Sequence, residues 1–275
     1  RGMIRTGFEN MQREHSEVGG VVQLRRGGTK IWVPMGIWVA AIFLLGSWGI
    51  MAVSFRALMG KWKPEAENSI VEKESAMVER EEVEAQYQMG LAYEKGEGVS
   101  QDNVLALRWY RKAADWGHAG AQYQIGWMLN MGRGVEKDDR RAVEWYRLAA
   151  EQGHAKAQYN LCLAYEKGVG VPRDIEKSLM WCRKAADQGY ATAQKYLGTV
   201  YDMGQNGVPI DPVEAMKWFR MAAEQGDAWA QYEMGRILRD GKGVEPDLDA
   251  AEKWFRQSAQ QGNGMSEKVL KEMGL

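Results

Sequence analysis

The sequence predicts an all-α chain: a solenoid of about five helix–turn–helix repeats with a capping helix, preceded by one transmembrane helix. Three observations predict it. The dipeptide Ala-Gln recurs at Ala85, Ala121, Ala157, Ala193 and Ala230, at spacings of 36, 36, 36 and 37 residues. A fixed period of that size marks stacked supersecondary units. Only 6 of the 275 residues are Pro, which leaves room for much helix. Ile31 to Phe55 form a 25-residue run without one charged side chain, and about 20 apolar residues cross a ~30 Å hydrocarbon core.

Taken from the N-terminus, residues 1–30 are polar and Gly-rich, carry Arg5, Arg13, Arg25, Arg26 and Lys30, and read as a flexible tail. The chain opens at Arg1 with its first Met at position 3, so a fragment or a wrong start are both open readings. Residues 31–55 read as the transmembrane helix, flanked by Trp32 and Trp62, whose indoles favour the interface. The run is longer than the apolar core of a signal peptide, which spans about 7–15 residues. Basic residues within twenty positions number four on each side; Arg25, Arg26 and Lys30 against the span tip the orientation to tail inside and repeats outside. Residues 56–84, with eight glutamates from Glu65 to Glu84, read as an acidic helical stalk.

Residues 85–263 hold the five repeats, each of two helices. The first helix starts at Ala-Gln, places an apolar residue four later (Met89, Ile125, Leu161, Leu197, Met234), then a small residue (Gly90, Gly126, Cys162, Gly198, Gly235). Gly inside a helix costs about 1 kcal/mol against Ala, so its recurrence predicts close contact with the neighbouring helix. Gly96, Gly132, Gly168, Gly204 and Gly241 suit left-handed C-caps. An Asp opens each second helix (Asp102, Asp138, Asp174, Asp211, Asp247) as an N-cap. Trp109, Trp145, Trp181, Trp218 and Trp254 follow, expected to be buried only when neighbours stack. Pairs of small residues such as Ala113-Ala114 then let the next helix approach. Residues 264–275 read as a capping helix, centred on Glu267 to Met273.

The pattern A-Q-Y-x-L-G-x-x-Y-x-x-G-x-G-V, then D, then W-Y-R-K-A-A-x-Q-G resembles the Sel-one-like repeat family, a branch of the tetratricopeptide-like solenoids. The resemblance covers residues 85–263 and departs from the pattern at Lys195, Cys162 and Cys182. It implies a right-handed α/α superhelix with first helices lining a concave face, and scaffold or adaptor work, often in bacterial envelope assemblies. It carries over no catalytic residue.

Composition excludes several classes. A net charge of −1 gives no field for nucleic acid. The G-x-G pairs lie between helices with no strand before them, which argues turns rather than phosphate binding. His118 and His154 share one repeat position and read as inter-repeat turn residues rather than metal ligands. Arg111, Arg147, Arg183 and Arg220 each have an acid four residues on, so local pairing is expected. No nucleophile–base constellation is visible, so the sequence predicts a non-enzyme with no catalytic, cofactor-binding or metal-binding residue and no cofactor. Cys162 and Cys182 replace the usual Gly and aromatic in one repeat, which predicts that the two positions touch, with Cα atoms about 4.4–6.8 Å apart.

Function is expected to be a membrane-anchored protein-interaction scaffold, with the repeats in the periplasm of a bacterial inner-membrane protein; a cytoplasmic-facing array stays open. Positions 4, 7 and 11 of the first helices share a face and vary between repeats. Trp127 is the expected anchor of a partner-binding groove, with Leu91, Met131, Leu163, Tyr196 and Met203 around it. A glycan- or peptidoglycan-binding module is the alternative, and an enzyme-regulating accessory subunit a third reading.

Overall fold

The computed structural model describes residues 21–26, 29–34 and 64–275. Two compact units divide between Glu74 and Ser75. In the first, β1 (Val21–Arg26) and β2 (Thr29–Pro34) pair antiparallel, with Val22 opposite Val33 and Leu24 opposite Ile31. Residues 21–26 and 29–30 of the expected tail, and residues 31–34 of the expected helix, are strand instead. The signal was present, because Gly27-Gly28 between two runs rich in Val, Leu and Ile is the composition of a two-residue hairpin. The remaining expected transmembrane residues, 35–55, lie outside the described residues, as do residues 56–63 at the base of the stalk. Among the described residues no helix is long and apolar enough to cross a membrane.

Eleven helices follow among the described residues. Helix α1 (Pro64–Lys95) joins the acidic stalk and the first helix of repeat 1 without a break. Then come α2 (Asn103–Asp115), α3 (Ala119–Met131), α4 (Asp139–Glu151), α5 (Ala155–Lys167) and α6 (Ile175–Asp187). The array continues with α7 (Ala191–Met203), α8 (Pro212–Glu224), α9 (Ala228–Asp240), α10 (Leu248–Gln260) and α11 (Gly264–Glu272). From α2 onward each packs on its sequence neighbours, and Gly90 of α1 lies against the Tyr110 ring of α2, so every unit shares its core with the next.

The boundaries follow from the capping chemistry. All five aspartates cap the second helices, Asp102 for instance accepting from the N–H groups of Val104 and Leu105. The first helices α3, α5, α7 and α9 end in left-handed glycines. His118 and His154 are N-caps: Nδ1 accepts from Ala121 N–H at 3.0 Å and from Ala157 N–H at 3.3 Å. That is their turn role.

The core differs from the expectation in one respect. The deepest ring is, in the four repeats that have one there, the residue after the Trp: Tyr110, Phe219 and Phe255 are fully buried and Tyr146 is buried. Trp181 and Trp218 are buried, but Trp109, Trp145 and Trp254 are only half-buried. The deep ring explains the helical glycines. A Cβ on Gly126 would lie 2.7 Å from the Tyr146 ring, and one on Gly198 2.6 Å from Phe219. In repeat 3 that contact becomes a disulfide, Cys162–Cys182, with Cα atoms 5.2 Å apart.

The Ala-Gln signature also acquires a cause. In repeats 2–5 the Ala is buried at the helix interface, and in repeats 3–5 the Gln bridges two repeats. Gln158 Nε2 donates to Ala150 O (3.0 Å) of the preceding unit, while its Oε1 accepts from Gln188 (2.7 Å) at the end of its own. Gln194 and Gln231 repeat both bonds. Buried amides satisfied on both sides fix register as well as contributing stability.

At the C-terminus α11 covers the last pair, with Val269 buried and Leu270 and Met273 packed around Phe255.

Candidate partner-binding groove

The candidate groove is built from first helices. Position 11 stands free: Met131 is 54% exposed and Met203 57%. Position 7 does not. Leu91 and Trp127, with Tyr196 at position 4, are half-buried and lie against the core, and Leu163 is half-buried. Trp127 carries the Arg133 guanidinium on its ring, 4.6 Å from the centroid. The side chains in line are therefore a shelf of apolar edges with methionines standing above it. Between repeats 2 and 3 the shelf opens into a pocket of about 210 Å³, lined in part by Asn130, Tyr146, Asn160, Leu163 and Lys167.

Sequence reasoning missed position 10. Glu94, Asn130, Glu166 and Asp202 recur at 36 residues, one residue before position 11, and all are polar. Glu94 accepts from the Tyr110 hydroxyl and from Gln124 of the next repeat (3.0 Å). Asn130 donates to Asp139 (2.8 Å). Asp202 and Glu233 both hold Arg236, each at 2.6 Å and largely buried. Burial pushes the Glu233 carboxyl up, against the opposing hydrogen bond from Arg236. Burial likewise raises the Tyr110 phenol, with Glu94 adding to it.

Departures from the repeat prove to be matched pairs. Tyr87 stacks on His118 and Tyr123 on His154, with ring centroids 4.4 and 4.7 Å apart. In repeat 4, where Lys195 replaces Tyr, Asp227 replaces His and the two form an ion pair at 2.7 Å. Repeat 3 lacks a phenol at Cys182. There Tyr196 of the following repeat brings its hydroxyl beside Glu166 and Ser178. The single inserted residue of repeat 4 lets Asn206 adopt φ +57 and donate to Glu166 at 3.0 Å.

The arginine row does not pair as expected. Among the described residues no ion pair joins Arg111, Arg147, Arg183 or Arg220 to the acid four residues on; Arg256 pairs backwards, to Glu252 at 2.6 Å. Nor does any group of three His, Cys, Asp or Glu side chains converge as a metal site among them. The G-x-G glycines have positive φ and form turns; a Cβ on Gly170 would collide with the Asp139 carbonyl of the preceding unit.

The Sel1 repeat family matches residues 83–118, 119–154, 155–190, 191–227 and 230–263, repeat for repeat. The chain belongs to the Sel1 repeat family. Among solved structures, a Sel1 repeat protein from Oxalobacter formigenes is 39% identical with a TM-score of 0.61, covering 68% of this chain and 74% of that one. A protective antigen of uropathogenic Escherichia coli strains, displaying an SLR fold, is 33% identical with a TM-score of 0.48, covering 71% of this chain and 49% of that one. No curated protein matches the chain significantly. Sel1 repeat proteins are in general protein-interaction scaffolds, typically without enzymatic activity.

Proposed function

We propose that this Sel1 repeat chain is a membrane-anchored scaffold that holds a protein partner along its first helices. The observation that carries the reading is the contrast within one face. Trp127 and Tyr196 lie against the core, and Glu94 and Asp202 are held by inter-repeat bonds, whereas Met131 and Met203 stand free at position 11 of their own helices. A rigid shelf with exposed, adaptable methionines suits protein capture. Trp127 is the anchor, with Leu91, Met131, Leu163, Tyr196 and Met203 around it. Met131→Glu and Trp127→Ala should each weaken partner binding at least tenfold, a loss of about 1.4 kcal/mol or more. Met131→Glu should leave the melting temperature unchanged. Co-purification from membrane extract, quantified against the parent chain, measures this; undiminished recovery by both variants sinks the groove.

The anchor we propose is residues 35–55, which follow β2. At 1.5 Å per residue these 21 uncharged residues make a helix of about 31 Å, the thickness of the hydrocarbon core. Arg25, Arg26 and Lys30 favour a tail inside and repeats on the far side of the bacterial inner membrane. The Cys162–Cys182 disulfide supports an oxidising compartment for the repeats. Alkaline phosphatase fused to the C-terminus should be active; an inactive fusion beside an active cytoplasmic reporter would put the repeats in the cytosol.

A further inference from the structure

Repeat 1 is not covered the way the other repeats are. Ala121, Ala157, Ala193 and Ala230 are completely buried, and Ile125, Leu161, Leu197 and Met234 nearly so. What buries them is the second helix of the preceding repeat, whose Ala pair lets it approach closely. Repeat 1 has no preceding repeat, and its counterparts Ala85 and Met89 are exposed, Met89 by 36%. Met77 and Val78 extend the same open stretch up α1 and are exposed too.

The hydrogen bonds of this end are also incomplete. In repeats 2–5 the Gln Oε1 accepts from a Gln at the end of the same repeat, at 2.7, 2.7, 2.7 and 2.8 Å. In repeat 1 Trp116 takes that Gln's place and is 66% exposed. Gln86 Oε1 is consequently buried with no partner. Its Nε2, which in repeats 3–5 donates to an Ala carbonyl of the preceding helix, turns instead to Glu82 at 3.3 Å.

We propose that this face docks a basic amphipathic helix of another protein, seated where the second helix of a preceding repeat would lie. The shape it must meet is already used four times within the chain, so the occupant needs two adjacent small residues to sit on Ala85 and Met89. A carbonyl at its C-terminal end would take the Gln86 amide. Its charge follows from α1, where Glu79, Glu81, Glu82 and Glu84 are exposed and Arg80 is the one base among them. A second copy of the chain would bring two such acidic runs together, so like-charge repulsion disfavours it. This surface is separate from the groove and does not depend on it.

The test uses the full chain and a helix-locked, fluorescein-labelled peptide copying residues 102–117, which carries Arg108, Arg111 and Lys112 ahead of Ala113-Ala114. Anisotropy should show saturable binding. Met89→Asn in the chain, or Ala113→Glu in the peptide, should weaken it about tenfold, and raised salt should weaken it further. Trp127→Ala in the chain should leave it unchanged, which separates this face from the groove. Absence of saturable binding, or equal binding by Met89→Asn, overturns the proposal. So does a dimer in sedimentation that dissociates on Met89→Asn, because the occupant would then be a second copy.

Discussion

At the residue scale, the repeat tolerates change only in compensated sets. His118 and His154 look like candidate ligands in isolation, yet each caps a helix with Nδ1 and packs its ring on a Tyr of its own repeat. A capping Nδ1 must be unprotonated to accept. Burial holds His154 below its ordinary value of 6.5, with Lys156 adding to the effect. The unfolded chain therefore takes up the proton first as pH falls. The contribution of His154 is full above about 6.5 and is lost progressively below it. His154→Asn keeps a cap of the kind Asn263 supplies to α11. Urea unfolding should place this variant within about 1 kcal/mol of the parent at pH 7.5. Between pH 7 and 5 it should lose less stability than the parent; equal losses would mean that His154 does not titrate with folding.

At the element scale, the helices and their ends were legible because their causes are local. Asp N-caps, Gly C-caps and the 36-residue period each act within a few residues, and the sequence shows them directly. The contact between Cys162 and Cys182 was legible for a related reason: two departures in one repeat imply one contact. What the sequence did not reveal was which ring is central. Trp is the larger side chain, but the helix turns the next residue inward, onto the glycine. Gly198 tests this account. On an open helix face Gly→Ala stabilises by roughly 0.5–1 kcal/mol. Here the new Cβ would fall 2.6 Å from Phe219, inside a packed core, and overpacking of this kind costs typically 1–3 kcal/mol. Gly198→Ala should therefore destabilise, as read from the urea midpoint, and a stabilised variant would show that the ring is not held against the glycine. The hairpin at residues 21–34 was missed for a different reason. Its Gly-Gly signal is short, and the long apolar run beginning at Ile31 outweighed it.

At the scale of the whole molecule, the candidate groove was only partly legible. Helical spacing put positions 4, 7 and 11 on one face, and Met131 and Met203 do stand free there. Periodicity cannot say how deep a residue sits, and Leu91, Trp127, Leu163 and Tyr196 prove half-buried. The polar residues at position 10, of which Glu94 and Asp202 tie successive first helices together, recur at the same 36-residue period and were readable in principle. The result is an array whose inter-repeat bonds make one face stiff while leaving a few apolar side chains uncovered on it. The central claim is that partners are held on this first-helix face and not on the opposite one. Site-specific photo-crosslinking in cells tests it most directly, with the photoreactive residue placed singly at Met131, Met203, Arg147 or Leu148, all of them exposed. The account predicts a protein adduct from Met131 and Met203 and none from Arg147 and Leu148; adducts confined to Arg147 and Leu148 would contradict it.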